Sequence, residues 1–317
     1  MGFVNVGVIY TVCTNVGRAI IKSHITNHPN ISISAIVSLS ADKGIKKSNY
    51  DNCLDLAIDN QIPHYFVSSI NHPKIIKKFN LIKPTLIIQS GWSEKFSDKL
   101  LKIPKYGCLG EHPSPIPKGR GAATINWAII NGETKWADSF FIMNENYDDG
   151  PVISQKEFHI KKKDNVKDVY DTVALRAYFS IKENLNSWFN GDFKFVDTKK
   201  NSPSYFKKRK PKDGQLLHSM TVSQQINFVR ALTKPYPGAY FYLFKKKIII
   251  MKAEKLSSSK VKGKMKKLED KIFIWKNKLL FQGSCNNFLY PKIIESNDFP
   301  IINTKEWLKS FLNLETL

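Results

Sequence analysis

Residues 84–112 read PTLIIQSGWSEKFSDKLLKIPKYGCLGEH. Leu86, Ile87 and Ile88 form an unbroken apolar run between Pro84 and Gly91. Such a run is too short for a helix and has the pattern of a strand covered on both faces. Residues 93–102 follow with helical spacing, and GCLGEH (107–112) returns as a second strand. Strand, helix and strand in this order predict a parallel crossover unit.

The alternation extends toward the N-terminus. VNVGVIY (4–10), SAIVSLS (34–40) and PHYFVS (63–68) read as strands, separated by helical segments such as 15–27 and 50–60. The expected fold class is α/β: a Rossmann-like, mainly parallel sheet with helices on both faces. After the first strand, TVCTNVGRAII (11–21) holds a single glycine, Gly17, so a dinucleotide fingerprint is absent.

From Val166 the residues Val169, Tyr170, Val173, Ala177, Ile181, Leu185 and Trp188 recur at spacings of three and four. That predicts one face of a long helix ending near Gly191. The polar stretch DTKKNSPSYFKKRKPKDG (197–214) reads as a linker. A short helix over 223–232 precedes GAYFYLF, KIIIMKAE, KIFIWK and KLLFQGS. These strands, with turn signals between them, predict a small β-barrel resembling an OB-fold. Two domains are expected, residues 1–203 and 204–317.

Composition narrows the function classes. The 317 residues are 42% hydrophobic and 12% aromatic, enough for substantial cores and against disorder. Cys13, Cys53, Cys108 and Cys285 are scattered without metal-ligand spacing, so neither a zinc site nor a disulfide framework is expected. The opening MGFVNVGVIY has no cationic region before its short apolar run, and no later stretch is long enough to span a bilayer. The expectation is a soluble, cytoplasmic protein with no membrane partner. Of the net charge of +22, residues 201–317 carry most, with 23 Lys and Arg against 8 Asp and Glu. A basic half suits RNA or another polyanion. The competing reading is solvated lysine, because KKKIIIMKAEK (245–255) and KVKGKMKK (260–267) lack interleaved aromatics that could stack on bases.

The chemistry concentrates in residues 107–151, GCLGEHPSPIPKGRGAATINWAIINGETKWADSFFIMNENYDDGP. A strand ends at Gly110-Glu111-His112 and meets a loop stiffened by Pro113, Pro115 and Pro117, then the Gly119-Arg120-Gly121 turn. A second strand, SFFIM, delivers the acidic loop NENYDDG. Ligands of open α/β sheets gather at the C-terminal ends of strands. A histidine and a carboxylate brought there could form a base and its orienting partner.

This stretch resembles the formyltransferases that use N10-formyltetrahydrofolate, closest to those acting on sugar nucleotides and similar also to the methionyl-tRNA enzymes. Their pattern is Asn-x-His-x-Ser-Leu-Leu-Pro, then Arg-Gly, then an Asp-x-Gly loop. HPSPIP, Arg120-Gly121 and Asp148-Asp149-Gly150 stand at matching spacings. INWAIINGET (125–134), FKKRKPKDG (206–214) and VRALTKPYPGAYFY (229–242) extend the likeness.

The resemblance implies His112 and Asp148 as catalytic residues, with His112 taking the amine's proton and Asp148 orienting the imidazole. The family asparagine, a donor to the oxyanion, falls on Gly110; losing such a donor typically costs about 10²–10³ in rate. Glu111 occupies the variable position of the motif and is no simple substitute. For the folate the resemblance implies Trp92, Glu94, Lys95, Phe96, Asn144 and Tyr147. For the acceptor it implies Arg120 and Ser114, and it implies no metal. Packing is the alternative reading for Trp92 and Phe96.

Three functions remain open. The acceptor amine belongs to a nucleotide-linked amino sugar, or to methionyl initiator tRNA, or the protein is a formyl-folate hydrolase or non-catalytic folate binder. The tRNA enzymes resemble one another in a basic Gly-Arg-rich loop after the second strand. Here SLSADKGIKKSNYDNC (38–53) has three lysines and no arginine, which favours the sugar because arginine is the better phosphate fork. Ala122 stands where the family members that formylate UDP-4-amino-4-deoxyarabinose carry the second arginine of an Arg-Gly-Arg pattern, so the resemblance implies a different amino sugar.

Overall fold

Val8, Ile9, Tyr10 and Val12 have no exposed surface, the condition of a strand at the centre of a sheet covered on both sides. The computed structural model describes residues 7–45, 47–199, 202–284, 286–296 and 299–314; residues 4–6 of the first predicted strand and Cys285 lie outside them.

Two compact units divide the chain. The first groups Met1–Thr124, Lys135–His159 and Val169–Lys207, and the second groups Ile125–Thr134, Ile160–Asp168 and Lys208–Leu317. In chain order the elements begin β1 (Val8–Val12), α1 (Asn15–Asn27), β2 (Ile33–Leu39), α2 (Ala41–Gly44), α3 (Leu54–Asp59), β3 (His64–Val67) and α4 (Pro73–Ile82). They continue β4 (Leu86–Ser90), α5 (Asp98–Leu101), β5 (Cys108–His112), β6 (Arg120–Gly121), α6 (Thr124–Ile130), β7 (Lys135–Ile142), β8 (Val152–His159), α7 (Val166–Phe189) and β9 (Tyr205–Phe206).

The main sheet has the order β3-β2-β1-β4-β5-β7-β8. Pairings from β3 to β5 are parallel, while β7 joins β5, and β8 joins β7, antiparallel. The order reverses between β1 and β4, which opens a crevice at the strands' C-terminal ends. One face packs Ile9, Ala35, Val37 and Ile87 against Phe79 of α4 and Leu100 of α5. On the other, Trp188 of α7 lies 5.3 Å from Phe140 of β7, ring centre to ring centre. Val169, Val173, Ala177, Ile181, Leu185 and Trp188 are all buried, so the three-and-four spacing is the inner face of α7. A buried relay ties α1 down: the Tyr10 hydroxyl meets His24 Nδ1 at 2.7 Å, and His24 Nε2 donates to the Ile31 carbonyl at 2.8 Å. Phe206 of β9 pairs back to Gly121 of β6, so the chain stays with the first unit through Lys207.

The second unit adds α8 (Val222–Leu232), β10 (Ala239–Leu243), β11 (Lys246–Leu256), β12 (Lys266–Glu269), β13 (Ile272–Trp275), β14 (Lys278–Gln282), β15 (Phe288–Ser296), β16 (Phe299–Asn303) and α9 (Thr304–Leu314). Thr221 and Gln224 form a reciprocal capping box that starts α8. The strands form a curled antiparallel sheet ordered β10-β11-β15-β14-β13-β12, with β16 on β15. This is the small β-domain that the strand pattern predicts. Its outer strands β10 and β12 are not paired with each other among the described residues. Two tight turns help to shape it: Phe244-Lys245 and Lys276-Asn277 all have positive φ, the mirror-image turn geometry that matches strand twist in two-residue hairpins.

Candidate active site

β5 stops at His112 because Pro113 and Pro115 cannot donate to a neighbouring strand. The loop folds under itself, with Ser114 N donating to the His112 carbonyl at 2.8 Å and Ile116 N to Ser114 O at 2.9 Å. Gly121 then pairs so closely with Phe206 that an added Cβ would lie 2.4 Å from its carbonyl oxygen. On the facing loop, a Cβ on Gly150 would fall 1.6 Å from the Ile142 carbonyl. Both glycines are required by close backbone approach, and between them they set the two loops of the site.

His112 is buried, 7% exposed. Its Nε2 lies 2.9 Å from the carbonyl oxygen of Gly119. A carbonyl only accepts, so Nε2 carries the proton and Nδ1 presents the ring's lone pair. Asp148 Oδ2 stands 3.6 Å from Nδ1, too far for a hydrogen bond but close enough for strong charge coupling once the ring is protonated. The same Oδ2 accepts the Gly121 N–H at 2.9 Å. The hydrogen bond that orients the imidazole is therefore made by Gly119, a role expected of Asp148 from the sequence. Asp148 itself adopts φ 50.

Gly110 has no free space beside it. A Cβ there would lie 2.5 Å from the Phe141 ring and 3.2 Å from Met143. The position of the family asparagine is thus closed by an aromatic ring. Glu111 projects to the opposite face, as strand alternation requires. There Ser90 donates to its Oε2 at 2.6 Å. Burial raises the carboxyl pKa of Glu111, and burial and the neighbouring Glu111 hold that of Asp138 far above the usual range.

The remaining expected residues divide. Arg120 is engaged by Asp149 and by the Tyr205 hydroxyl, the latter at 2.9 Å. Ser114 is fully buried, and its Oγ has no partner among the described residues. Trp92 and Phe96 belong to the apolar cluster of Ile9, Cys13 and Leu100, although the indole N–H of Trp92 finds no acceptor among the described residues. Glu94 accepts from Ser69 Oγ at 2.6 Å, Ile70 N at 2.9 Å and Asn71 Nδ2 at 2.9 Å. Asn71 also bonds the carbonyl of Lys95. These bonds pin the loop after β4. Asn144 accepts from Asn146 N, and Tyr147 is exposed.

Sequence reasoning missed the Gly119 carbonyl and the Glu111–Asp138 pair. A backbone acceptor leaves no side-chain signal. Asp138 does leave one: it is the lone acid of the mostly apolar strand KWADSFFI.

This fold is that of the two-domain formyltransferases that the sequence resembles. The chain belongs to that family: residues 4–181 match the formyl transferase family, and residues 208–311 match the formyl transferase C-terminal domain. It is 32% identical over 222 residues to the bifunctional polymyxin resistance protein ArnA of Wigglesworthia glossinidia brevipalpis, covering 70% of this chain and 34% of that protein. The chain thus spans about a third of the length of that relative. Among solved structures it is similar to an N-formyltransferase from Helicobacter canadensis crystallised with folinic acid and dTDP-3-aminofucose (TM-score 0.64, 17% identity, 90% of this chain and 98% of that one). It is also similar to HypX from Aquifex aeolicus in complex with tetrahydrofolic acid (TM-score 0.63, 16% identity, 97% and 48%). At these identities the likeness is one of fold. Among the described residues no helix is long and apolar enough to cross a membrane.

Proposed function

We propose that this protein transfers the formyl group of N10-formyltetrahydrofolate to the amino group of a nucleotide-linked amino sugar. The observation that carries the reading is the His112 imidazole, with Nε2 spent on Gly119 and Nδ1 facing Asp148 at 3.6 Å, in a chain of the formyl transferase family.

The folate, when bound, supplies an activated one-carbon unit. The residues fit such a partner. The base lies at the C-terminal ends of the strands, beside a loop whose Trp92 indole N–H has no acceptor among the described residues. His112 Nδ1 takes the acceptor amine's proton, and the Asp148 carboxylate stabilises the imidazolium this creates. The Gly119 carbonyl keeps the ring from turning. Phe141 offers no hydrogen bond where the family asparagine would stand, so His112 carries a larger share of the catalysis than the resemblance implies.

Support for a sugar nucleotide comes from two sides. Two proteins of similar fold are sugar N-formyltransferases, and a third is an N-formyltransferase crystallised with dTDP-3-aminofucose. Within this chain, the segment after β2 has no arginine but Arg18 nearby, and Arg18 is committed to Asp51 and Asp55. The tRNA reading rests on the 23 Lys and Arg against 8 Asp and Glu in residues 201–317. Incubation with formyltetrahydrofolate and a panel of amino-sugar nucleotides, followed by mass spectrometry, tests the choice. A formylated sugar nucleotide is expected. Formylation of methionyl-tRNA alone, or release of formate without an amine, would overturn it.

A further inference from the structure

Behind His112, on the other face of β5, two acids are buried together. Glu111 is 5% exposed and Asp138 fully buried. Glu111 lies opposite Phe140 in the β5–β7 ladder; Asp138 is two residues from Phe140 and therefore shares its face, diagonal to Glu111. Ser90, directly opposite Glu111 on β4, donates to Oε2. Glu111 Oε1 and both Asp138 carboxyl oxygens have no side-chain donor among the described residues except through each other. Among the described residues no lysine or arginine forms an ion pair with either acid. From outside the pair, the charges of His112 and Asp148 act on Glu111.

Two ionised carboxylates in contact, dry and without a cation, repel strongly, and each would leave acceptors unsatisfied. One proton resolves both problems. An Asp138 carboxylic acid donates O–H to Glu111 Oε1, Ser90 fills Oε2, and a single negative charge remains. Other buried carboxyl pairs share a proton for the same reason.

We propose that Asp138 is held as a neutral acid hydrogen-bonded to an ionised Glu111, and that this fixed charge is a positioning element for the imidazole of His112. The role rests on the reading of His112 as the base; the shared proton does not. As His112 becomes an imidazolium, the charge behind β5 acts together with Asp148 in front of it. The ring then gains its proton between two anions.

Infrared spectroscopy of the whole protein at neutral pH, without substrates, tests the proton directly. We expect a carbonyl band of a buried carboxylic acid that shifts on aspartate ¹³C labelling and vanishes in Asp138→Asn. Absence of that band in the unsubstituted protein would overturn the shared proton. Kinetics test the positioning. Asp138→Asn keeps a donor to Glu111 and its charge, and Glu111→Gln leaves the charge on Asp138, so each single variant should stay within about threefold in kcat. The double variant Glu111→Gln/Asp138→Asn removes the charge and should lose about tenfold in kcat with KM unchanged. Single variants as damaged as the double, or a double variant with full kcat, would overturn the positioning role. Unsubstituted protein that shows the band but formylates no amine would overturn the proposed function, and the positioning role with it, while the proton pair stands.

Discussion

His112 Nε2 donates to the carbonyl of Gly119 at 2.9 Å, and this bond selects Nδ1 as the nitrogen free to accept a proton. A glycine in the loop thereby orients the imidazole through backbone that no side-chain substitution removes. Asp148 is left to act through charge, from 3.6 Å away.

Replacing His112 by Ala should lower kcat/KM for formyl transfer by about 10² or more, with folate affinity nearly unchanged, because proton transfer belongs to the transition state. Steady-state kinetics with equilibrium binding of the folate check this. Near-normal turnover would remove His112 from the mechanism.

Asp148→Asn isolates the charge. The amide oxygen still accepts the Gly121 N–H that Asp148 now receives at 2.9 Å, so the loop should stay folded. A loss comparable with that of His112→Ala is expected, again about 10² in kcat/KM. An unchanged circular dichroism spectrum and melting temperature would show that the loss is not one of folding.

Gly110→Asn, which restores the family residue, should not restore a donor. Its Cβ would lie 2.5 Å from the Phe141 ring, and overpacking of this kind costs about 1–3 kcal/mol. Thermal denaturation should show the destabilisation, and adding Phe141→Ala should relieve part of it. A Gly110→Asn protein as stable as the parent would mean that Phe141 moves aside freely.

Acid should weaken the first unit through His24, whose pKa burial pushes down to about 4. A histidine held neutral in the fold contributes its full stability above the unfolded value of about 6.5 and loses it as pH falls toward the folded value. The loss should be on the order of 3 kcal/mol, spread between about pH 6.5 and pH 4. Urea unfolding at several pH values measures it. In His24→Gln the dependence in that window should flatten; an unchanged slope would assign it to other groups.

Salt separates the two acceptors. Affinity for tRNA would fall steeply, with a slope of about −0.9 in log K per duplex phosphate contacted, whereas a sugar diphosphate would show a gentle fall. Lys245, Lys246, Lys264 and Lys267 are all exposed. Changing the four to Gln should leave stability and formylation of an amino-sugar nucleotide almost unchanged. Activity lost in step with tRNA binding would transfer the proposal to tRNA.

The sequence alone determined the alternation of buried strands and helices, the inner face of α7, the small β-domain and the loops that carry His112 and Asp148. These follow from local periodicity and from where proline and glycine punctuate the chain, and both are written in neighbouring residues. Helix Pro73–Ile82 and strands such as Phe288–Ser296 are not among the segments the pattern singles out. In the helix the signal is present, since Ile75, Ile76, Phe79 and Ile82 share one face and Lys74, Lys77 and Lys78 the other; in the strand, Pro291 breaks a run that would otherwise read as β.

Only the tertiary structure decided that the Gly119 carbonyl orients the imidazole, that Phe141 closes the space beside Gly110, and that Glu111 meets Asp138 behind β5. Each depends on strand register or loop closure between residues well separated in the chain. Hydrophobic pattern specifies which face of a strand is buried. It does not specify which neighbour a buried atom finds there, and at this site the neighbour determines the chemistry.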